Sequence, residues 1–169
     1  MLALQALCAY DGVGEAFDEY LNSFLRDGEV LHDLGIEHFP TGEMLIFARA
    51  LARGAWSRRQ YLNEQLSRTA AHWSLDRMTP VDRNVLRLGL YELLEHPETA
   101  PQIVINEAIE LARRFGDADS PSFVNGVLDA LRRTLVNFEE PDAPSASPLS
   151  EPQRESAKGK KEDSAERGG

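Results

Sequence analysis

The sequence contains a single cysteine, Cys8, among 169 residues. One thiol cannot form a disulfide within the chain, and it cannot supply the several cysteines of a Cys-rich zinc site. The longest apolar stretches, such as 44–47, are far too short to span a bilayer. The first ten residues also lack the basic region of a secretory signal. We therefore expect a soluble protein of the cytoplasm, without a membrane-spanning segment.

Lysine is scarce, and the chain is acidic. The three lysines all lie in the last twelve residues, and the net charge is −10. Residues 1–52 carry nine acids against two arginines, whereas residues 53–138 carry eleven of each. Phosphate contacts require clustered Lys and Arg side chains. Charge by itself therefore argues against nucleic-acid binding.

The composition changes after Phe138. Residues 139–169 contain no aromatic side chain, and Leu149 is the one large aliphatic residue among them. Such a segment cannot bury enough apolar surface to offset the entropy lost on ordering. We predict a folded domain over residues 1–138 and a disordered tail of mixed, predominantly acidic charge over residues 139–169.

Helix signals recur through residues 1–138, whereas alternating strand patterns are nearly absent. Thr79-Pro80 and Ser120-Pro121 each combine a capping side chain with a proline suited to the first helical position. The helix that starts at the first of these pairs is apolar on several sides, which is typical of a central helix. The pattern predicts an all-α domain of seven helices joined by short connections.

Gly126 lies inside the last predicted helix, where glycine costs up to about 1 kcal/mol relative to alanine. We expect this position to allow close packing of a neighbouring helix.

Several ordered motifs follow one another between residues 82 and 132, after a shorter one near the N-terminus. They are Leu4-Gln5-Ala6-Leu7, Asp82-Arg83-Asn84-Val85-Leu86-Arg87, Leu90-Tyr91-Glu92-Leu93, Ile105-Asn106-Glu107-Ala108-Ile109-Glu110-Leu111-Ala112, Phe115-Gly116 and Phe123-Val124-Asn125-Gly126-Val127-Leu128-Asp129. In residue type, order and spacing they resemble the NusB family of bacterial transcription antitermination factors. The resemblance implies a NusB-like seven-helix fold of two packed three-helix subdomains.

The resemblance also implies a function. Family members pair with the ribosomal protein NusE, and the pair binds the boxA element of nascent RNA. It thereby joins the transcription elongation complex, chiefly on ribosomal RNA operons. We expect no catalysed reaction, no cofactor and no metal, and the spacing of His32 and His38 does not match a metal-ligand motif.

Three residues match functional positions of the family. The resemblance places Asp119 and Phe123 at the RNA surface, where an aromatic ring can stack on a base and a carboxylate can accept hydrogen bonds from base amino groups. Spacing by itself favours a different interpretation, an acid beside a helix N-terminus and a core phenylalanine. Asp82 matches an acidic position that hydrogen-bonds NusE, although it also suits the first turn of a helix.

Arginines near these positions allow more than one interpretation. Arg83 and Arg87, four residues apart on one helix, either flank the NusE interface or pair with Asp82 or Glu92. A second group accompanies Trp56 and Trp73, and it forms either an RNA surface or a solvated helix face. Its members are Arg53, Arg58, Arg59, Arg68 and Arg77.

The sequence departs from the family pattern in two places. An Arg-rich segment usually precedes the motif that begins at Leu4, and here only three residues do, so we expect the native start to lie upstream. Cys8 stands where the family commonly has an aromatic residue near the partner interface. We expect it to be an ordinary buried thiol.

Two other functions remain open at this point. One is a helical scaffold or homodimeric protein-interaction module without intrinsic RNA binding, which the acidic charge favours. The other is the helical module that precedes some ribosomal RNA methyltransferase domains, although no Gly-rich cofactor loop follows residue 138.

Overall fold

The computed structural model describes residues 1–11, 16–36, 38–69 and 75–138, and it contains eight α-helices and no strand over these ranges. The helices are α1 (Leu2–Tyr10), α2 (Phe17–Phe24), α3 (Gly28–Asp33), α4 (Gly42–Ser57), α5 (Arg59–Thr69), α6 (Pro80–Glu95), α7 (Pro101–Phe115) and α8 (Ser120–Phe138). The expected all-α fold is confirmed. The short α3 is not among the predicted helices, and it raises their number over the described ranges from seven to eight.

Side-chain caps fix several of these helix starts. Thr79 begins α6 as predicted, because its Oγ1 accepts a hydrogen bond of 3.1 Å from the backbone N–H of Asp82. Thr41 does the same for α4, with 3.3 Å from its Oγ1 to the backbone nitrogen of Met44. The prediction that Ser120 caps α8 is wrong, since Ser120 is the first residue of that helix.

The central position of α6 is confirmed by its packing. It contacts α1, α4, α5, α7 and α8, and every residue from Asn84 to Leu90 is buried. The helices α6, α7 and α8 pack against one another, as do α1, α2 and α4. These two groups of three helices meet along α6 and share one hydrophobic core.

The expectation of close helix packing at Gly126 is wrong. A Cβ built on Gly126 would have no heavy atom outside its own helix turn within 4 Å. The close approach occurs at Gly54 of α4, where a Cβ would lie 2.1 Å from Cζ of Tyr91 on α6. Glycine therefore brings α4 and α6 together at a position where the helical pattern gave no signal.

Two predictions fall on residues outside the described ranges. They are the disordered tail over residues 139–169 and the interpretation of Trp73, and both stay predictions. Within the described ranges, no helix is both long and apolar enough to cross a membrane.

Candidate nucleic-acid and partner interface

The loop between α7 and α8 brings the two predicted RNA residues onto one turn. Asp119 is exposed immediately before α8, and its carbonyl accepts a hydrogen bond of 3.0 Å from the N–H of Phe123. The buried Ser120 closes this loop, because its hydroxyl accepts a bond of 2.9 Å from the N–H of Asp117. The backbone therefore holds Asp119 and Phe123 in a fixed relation.

Phe123 is neither a fully exposed platform nor a fully buried core residue. It is half-buried and packs against the hydrophobic core. Part of the side chain thus anchors the first turn of α8, and part remains accessible beside the exposed Asp119. The two interpretations from the sequence, an accessible ring and a core phenylalanine, therefore each describe part of this side chain.

Two arginines at the end of α7 supply positive charge in this region. Arg113 and Arg114 are exposed, and both lie within the last turn before the loop. Arg113 forms an ion pair with Glu110, and the guanidinium of Arg114 lies 5.3 Å from the ring centroid of Phe115. Their charge suits the C-terminal end of a helix, and their position beside the loop also suits phosphate contacts.

Asp82 lies in the first turn of α6 and is 9 % exposed. Its backbone N–H is satisfied by Thr79, but its Oδ1 is buried and has no hydrogen-bond partner among the described residues. A buried polar atom without a partner is costly. This cost is set against the favourable position of the Asp82 charge near the N-terminus of α6.

Cys8 of α1 lies against the same end of α6. Its thiol donates to the carbonyl of Pro80 at 3.5 Å, and its Sγ lies 3.7 Å from the amide nitrogen of Asn84. Burial is the largest cause that raises the pKa of this thiol. Cys8 is therefore a half-buried thiol, and its raised pKa disfavours the thiolate form.

The predicted pairing of Arg83 and Arg87 with Asp82 or Glu92 is wrong, because both arginines bind Asp11. The Nε of Arg83 lies 3.0 Å from Oδ2 of Asp11, and its Nη2 contacts the same oxygen. The Nη1 of Arg87 lies 3.4 Å from Oδ1. Asp11, the residue that follows α1, therefore links the two helices.

Arg87 is buried within a wider polar network. Its guanidinium donates to the side-chain oxygens of Asn63 and Asn84, at 2.9 Å in both cases. Burial lowers the pKa of Arg87, and the negative charge of Asp11 opposes this effect. The network therefore holds α1, α5 and α6 together, and no pattern in the sequence pointed to Asp11.

Trp56 contributes to packing and not to an open RNA surface. Its ring is stacked on Phe17 with centroids 4.8 Å apart, and the guanidinium of Arg59 lies 4.4 Å from the Trp56 centroid. The RNA interpretation of this aromatic residue loses its support. Among the residues that the structure describes, no group of three or more His, Cys, Asp or Glu side chains is placed to hold a metal ion.

Comparison with known sequences supports one family. A family model described as the NusB family matches residues 1–133. A transcription antitermination protein NusB from Desulfosudis oleivorans is 37% identical over 142 residues, which cover 82% of this chain and 85% of the relative. The NusB protein from Anaeromyxobacter dehalogenans is 40% identical over 133 residues, covering 79% of this chain and 87% of the relative.

Solved structures agree with the sequence matches. T. maritima NusB superimposes with a TM-score of 0.66 and 31% identity, covering 82% of this chain and 93% of that one. A crystal structure of antitermination factors NusB and NusE in complex with dsRNA gives a TM-score of 0.64 at 27% identity, with coverage of 79% and 92%.

Proposed function

This chain belongs to the NusB family, and from that premise we propose that it is a transcription antitermination factor. It binds boxA-type RNA together with the ribosomal protein NusE and acts in the cytoplasm on the complex that transcribes ribosomal RNA. The match of the family to residues 1–133 is the observation that carries this proposal. A solved relative that contains NusB, NusE and dsRNA supports the choice of partners.

The RNA contact is proposed at Asp119 and Phe123. An exposed carboxylate beside a partly accessible aromatic ring suits hydrogen bonding to and stacking on an unpaired base. Arg113 and Arg114 would supply local phosphate contacts, although the chain as a whole is acidic. The acidic charge of the chain implies a weak intrinsic affinity for RNA, and we expect NusE to strengthen it.

The primary test is a fluorescence-anisotropy titration of a labelled boxA RNA at two salt concentrations, with and without NusE. We expect salt-sensitive binding that becomes tighter when NusE is present. Absence of RNA binding under both conditions by the folded protein would overturn the proposal.

Phe123→Ala is expected to weaken RNA binding about 5- to 150-fold, because a base loses its stacking partner. The affinity for NusE, measured by calorimetry, is expected to stay unchanged. Since Phe123 is half-buried, Phe123→Leu serves as a second variant that keeps apolar volume but removes the ring. Normal RNA affinity in both folded variants would exclude Phe123 from the RNA surface.

Asp82→Asn is expected to weaken binding to NusE about tenfold or more, because a charge-assisted hydrogen bond to the partner loses strength. Glu43→Gln is the matched control, since Glu43 is an exposed acid in the first turn of α4. Calorimetric titration with NusE separates the two variants. Equal affinities for both would remove Asp82 from the partner interface.

A second candidate function is a homodimeric or scaffolding role without RNA. Exposed apolar side chains favour it, since Phe39 is 61% and Phe47 56% exposed, and both line a groove of about 450 Å³ between α1 and α4. Light scattering with and without RNA distinguishes the two functions. A stable dimer whose mass does not change when RNA is added would favour the scaffold.

A further inference from the structure

A groove of about 780 Å³ lies between α5, α6 and α8, on a part of the molecule that the proposed site does not use. Its lining includes Tyr61, Gln65 and Arg68 of α5, Leu90 of α6, and Leu131 and Thr134 of α8. Tyr61, Gln65 and Arg68 follow one another at spacings of four and three residues. They therefore lie along one face of α5.

The lining combines types of side chain that bind single-stranded RNA in other proteins. Tyr61 is 41% exposed, and the guanidinium of Arg58 lies over its ring, 4.9 Å from the centroid. A base would stack on the part of the ring that Arg58 does not cover. The amide of Gln65 can donate to and accept from a base edge. Arg68 is exposed and forms no ion pair within the described ranges, which leaves its charge available for a phosphate.

The floor of the groove is apolar and closed. Leu90 is fully buried and Leu131 is 3% exposed, so both belong to the packed core beneath the groove. The accessible lining is the rim, where a base edge can reach the amide of Gln65 and the hydroxyl of Thr134.

The surroundings are basic, in contrast to the whole chain. Residues 58–69 and 127–134 contain five arginines and two carboxylates, and Glu95 of α6 forms an ion pair with Arg58. Five positive against three negative charges leave a net charge of +2 here, in a chain whose net charge is −10. This local excess of positive charge complements the negative charge of a nucleic-acid backbone.

We propose that this α5–α8 groove is a second contact surface for single-stranded RNA. It receives nucleotides of the same strand that contacts Asp119 and Phe123, so the proposal rests on the proposed RNA-binding function. Phe123 and Thr134 are eleven residues apart on α8, which corresponds to about 16 Å along a helix. About five stacked nucleotides bridge that distance at about 3.4 Å each.

The test compares Tyr61→Leu and Arg68→Gln with a matched control, Arg26→Gln, which removes an exposed arginine between α2 and α3. Affinities are measured by anisotropy with NusE present, for single-stranded boxA RNAs of about four nucleotides, too short to bridge the two surfaces, and about fifteen nucleotides. With the longer RNA we expect a loss of about 5- to 150-fold for Tyr61→Leu. Arg68→Gln is expected to lower the salt slope by about 0.7, and the control changes neither quantity.

The shorter RNA reaches only one surface, so its affinity is expected to be unchanged by Tyr61→Leu. Cross-linking provides an independent readout: a 4-thiouridine placed about five nucleotides from the Phe123 contact is expected to label a peptide from residues 58–69. All variants are checked by circular dichroism and thermal unfolding.

Several outcomes would overturn the proposal. If the wild-type chain binds RNA but Tyr61→Leu and Arg68→Gln match the control and residues 58–69 stay unlabelled, the second surface is excluded and the proposed function stands. If the wild-type chain binds no RNA with NusE present, both proposals fail. A poly-glutamate peptide provides a further outcome. If it binds saturably and requires Arg68 but displaces neither RNA, the groove is assigned to an acidic protein segment instead.

Discussion

Asp11→Asn is expected to lower the free energy of unfolding by about 3–5 kcal/mol. The carboxylate of Asp11 binds Arg83 and Arg87, and the side chains of all three are less than one-fifth exposed, at 13%, 18% and 8%. An asparagine keeps the shape but removes the negative charge. The two arginines then remain buried beside each other without the charge that compensates them, and desolvation makes this arrangement costly.

The matched control is Asp18→Asn. Asp18 binds Arg53 at 2.9 Å, but the two side chains are 54% and 65% exposed, so solvent screens the pair. We expect a loss of less than about 1 kcal/mol for this variant. Urea unfolding of both variants at neutral pH measures the difference. Losses of equal size would mean that the Asp11 network contributes no more than a surface ion pair.

Gly54→Ala is expected to lower the free energy of unfolding by about 1–3 kcal/mol, although alanine is the better helix former. The added Cβ would lie 2.1 Å from both Cζ and Oη of the Tyr91 side chain. Tyr91 must then move, and the packing of α4 against α6 loosens. The steric penalty exceeds the gain in helix propensity.

A double-mutant cycle isolates this contact. In a Tyr91→Ala background the extra methyl group meets no ring, so Gly54→Ala is expected to cost little or to become stabilising. A cost that persists in that background would contradict the steric explanation.

Gly126→Ala is the comparison within α8. Its Cβ meets nothing within 4 Å, so only helix propensity acts, and we expect a gain of about 0.5–1 kcal/mol. Replacing the two helical glycines by alanine is thus expected to change the free energy of unfolding in opposite directions. Thermal unfolding of the two single variants checks this directly, and a destabilised Gly126→Ala variant would show that the propensity argument fails here.

The candidate site was predictable only to a limited extent. The motifs that carry Asp82, Asp119 and Phe123 are visible in the sequence because their order and spacing resemble one family. The degree to which Phe123 is buried could not be predicted from the sequence, since either an accessible ring or a core ring fits the same helical spacing. The buried Oδ1 of Asp82 has no counterpart in the sequence either, because it depends on which side chains surround α6.

The sequence by itself determined the helical class, the start of α6 at Thr79, and the central position of α6. These features depend on residues within a few positions of one another, namely cap hydrogen bonds and the periodicity of apolar side chains. Such features can be predicted from the sequence because the groups that interact are neighbours in the chain.

Only the tertiary structure decided which charges and which glycines matter. Asp11 and Arg83 are 72 positions apart in the sequence, and Gly54 and Tyr91 lie on different helices. The energies of an ion pair or a close helix contact depend on distance and solvent exposure in three dimensions. For that reason the sequence offered only Asp82 and Glu92 as ion-pair partners of Arg83 and Arg87 and placed the close helix packing at Gly126, whereas the fold pairs the two arginines with Asp11 and brings helices together at Gly54.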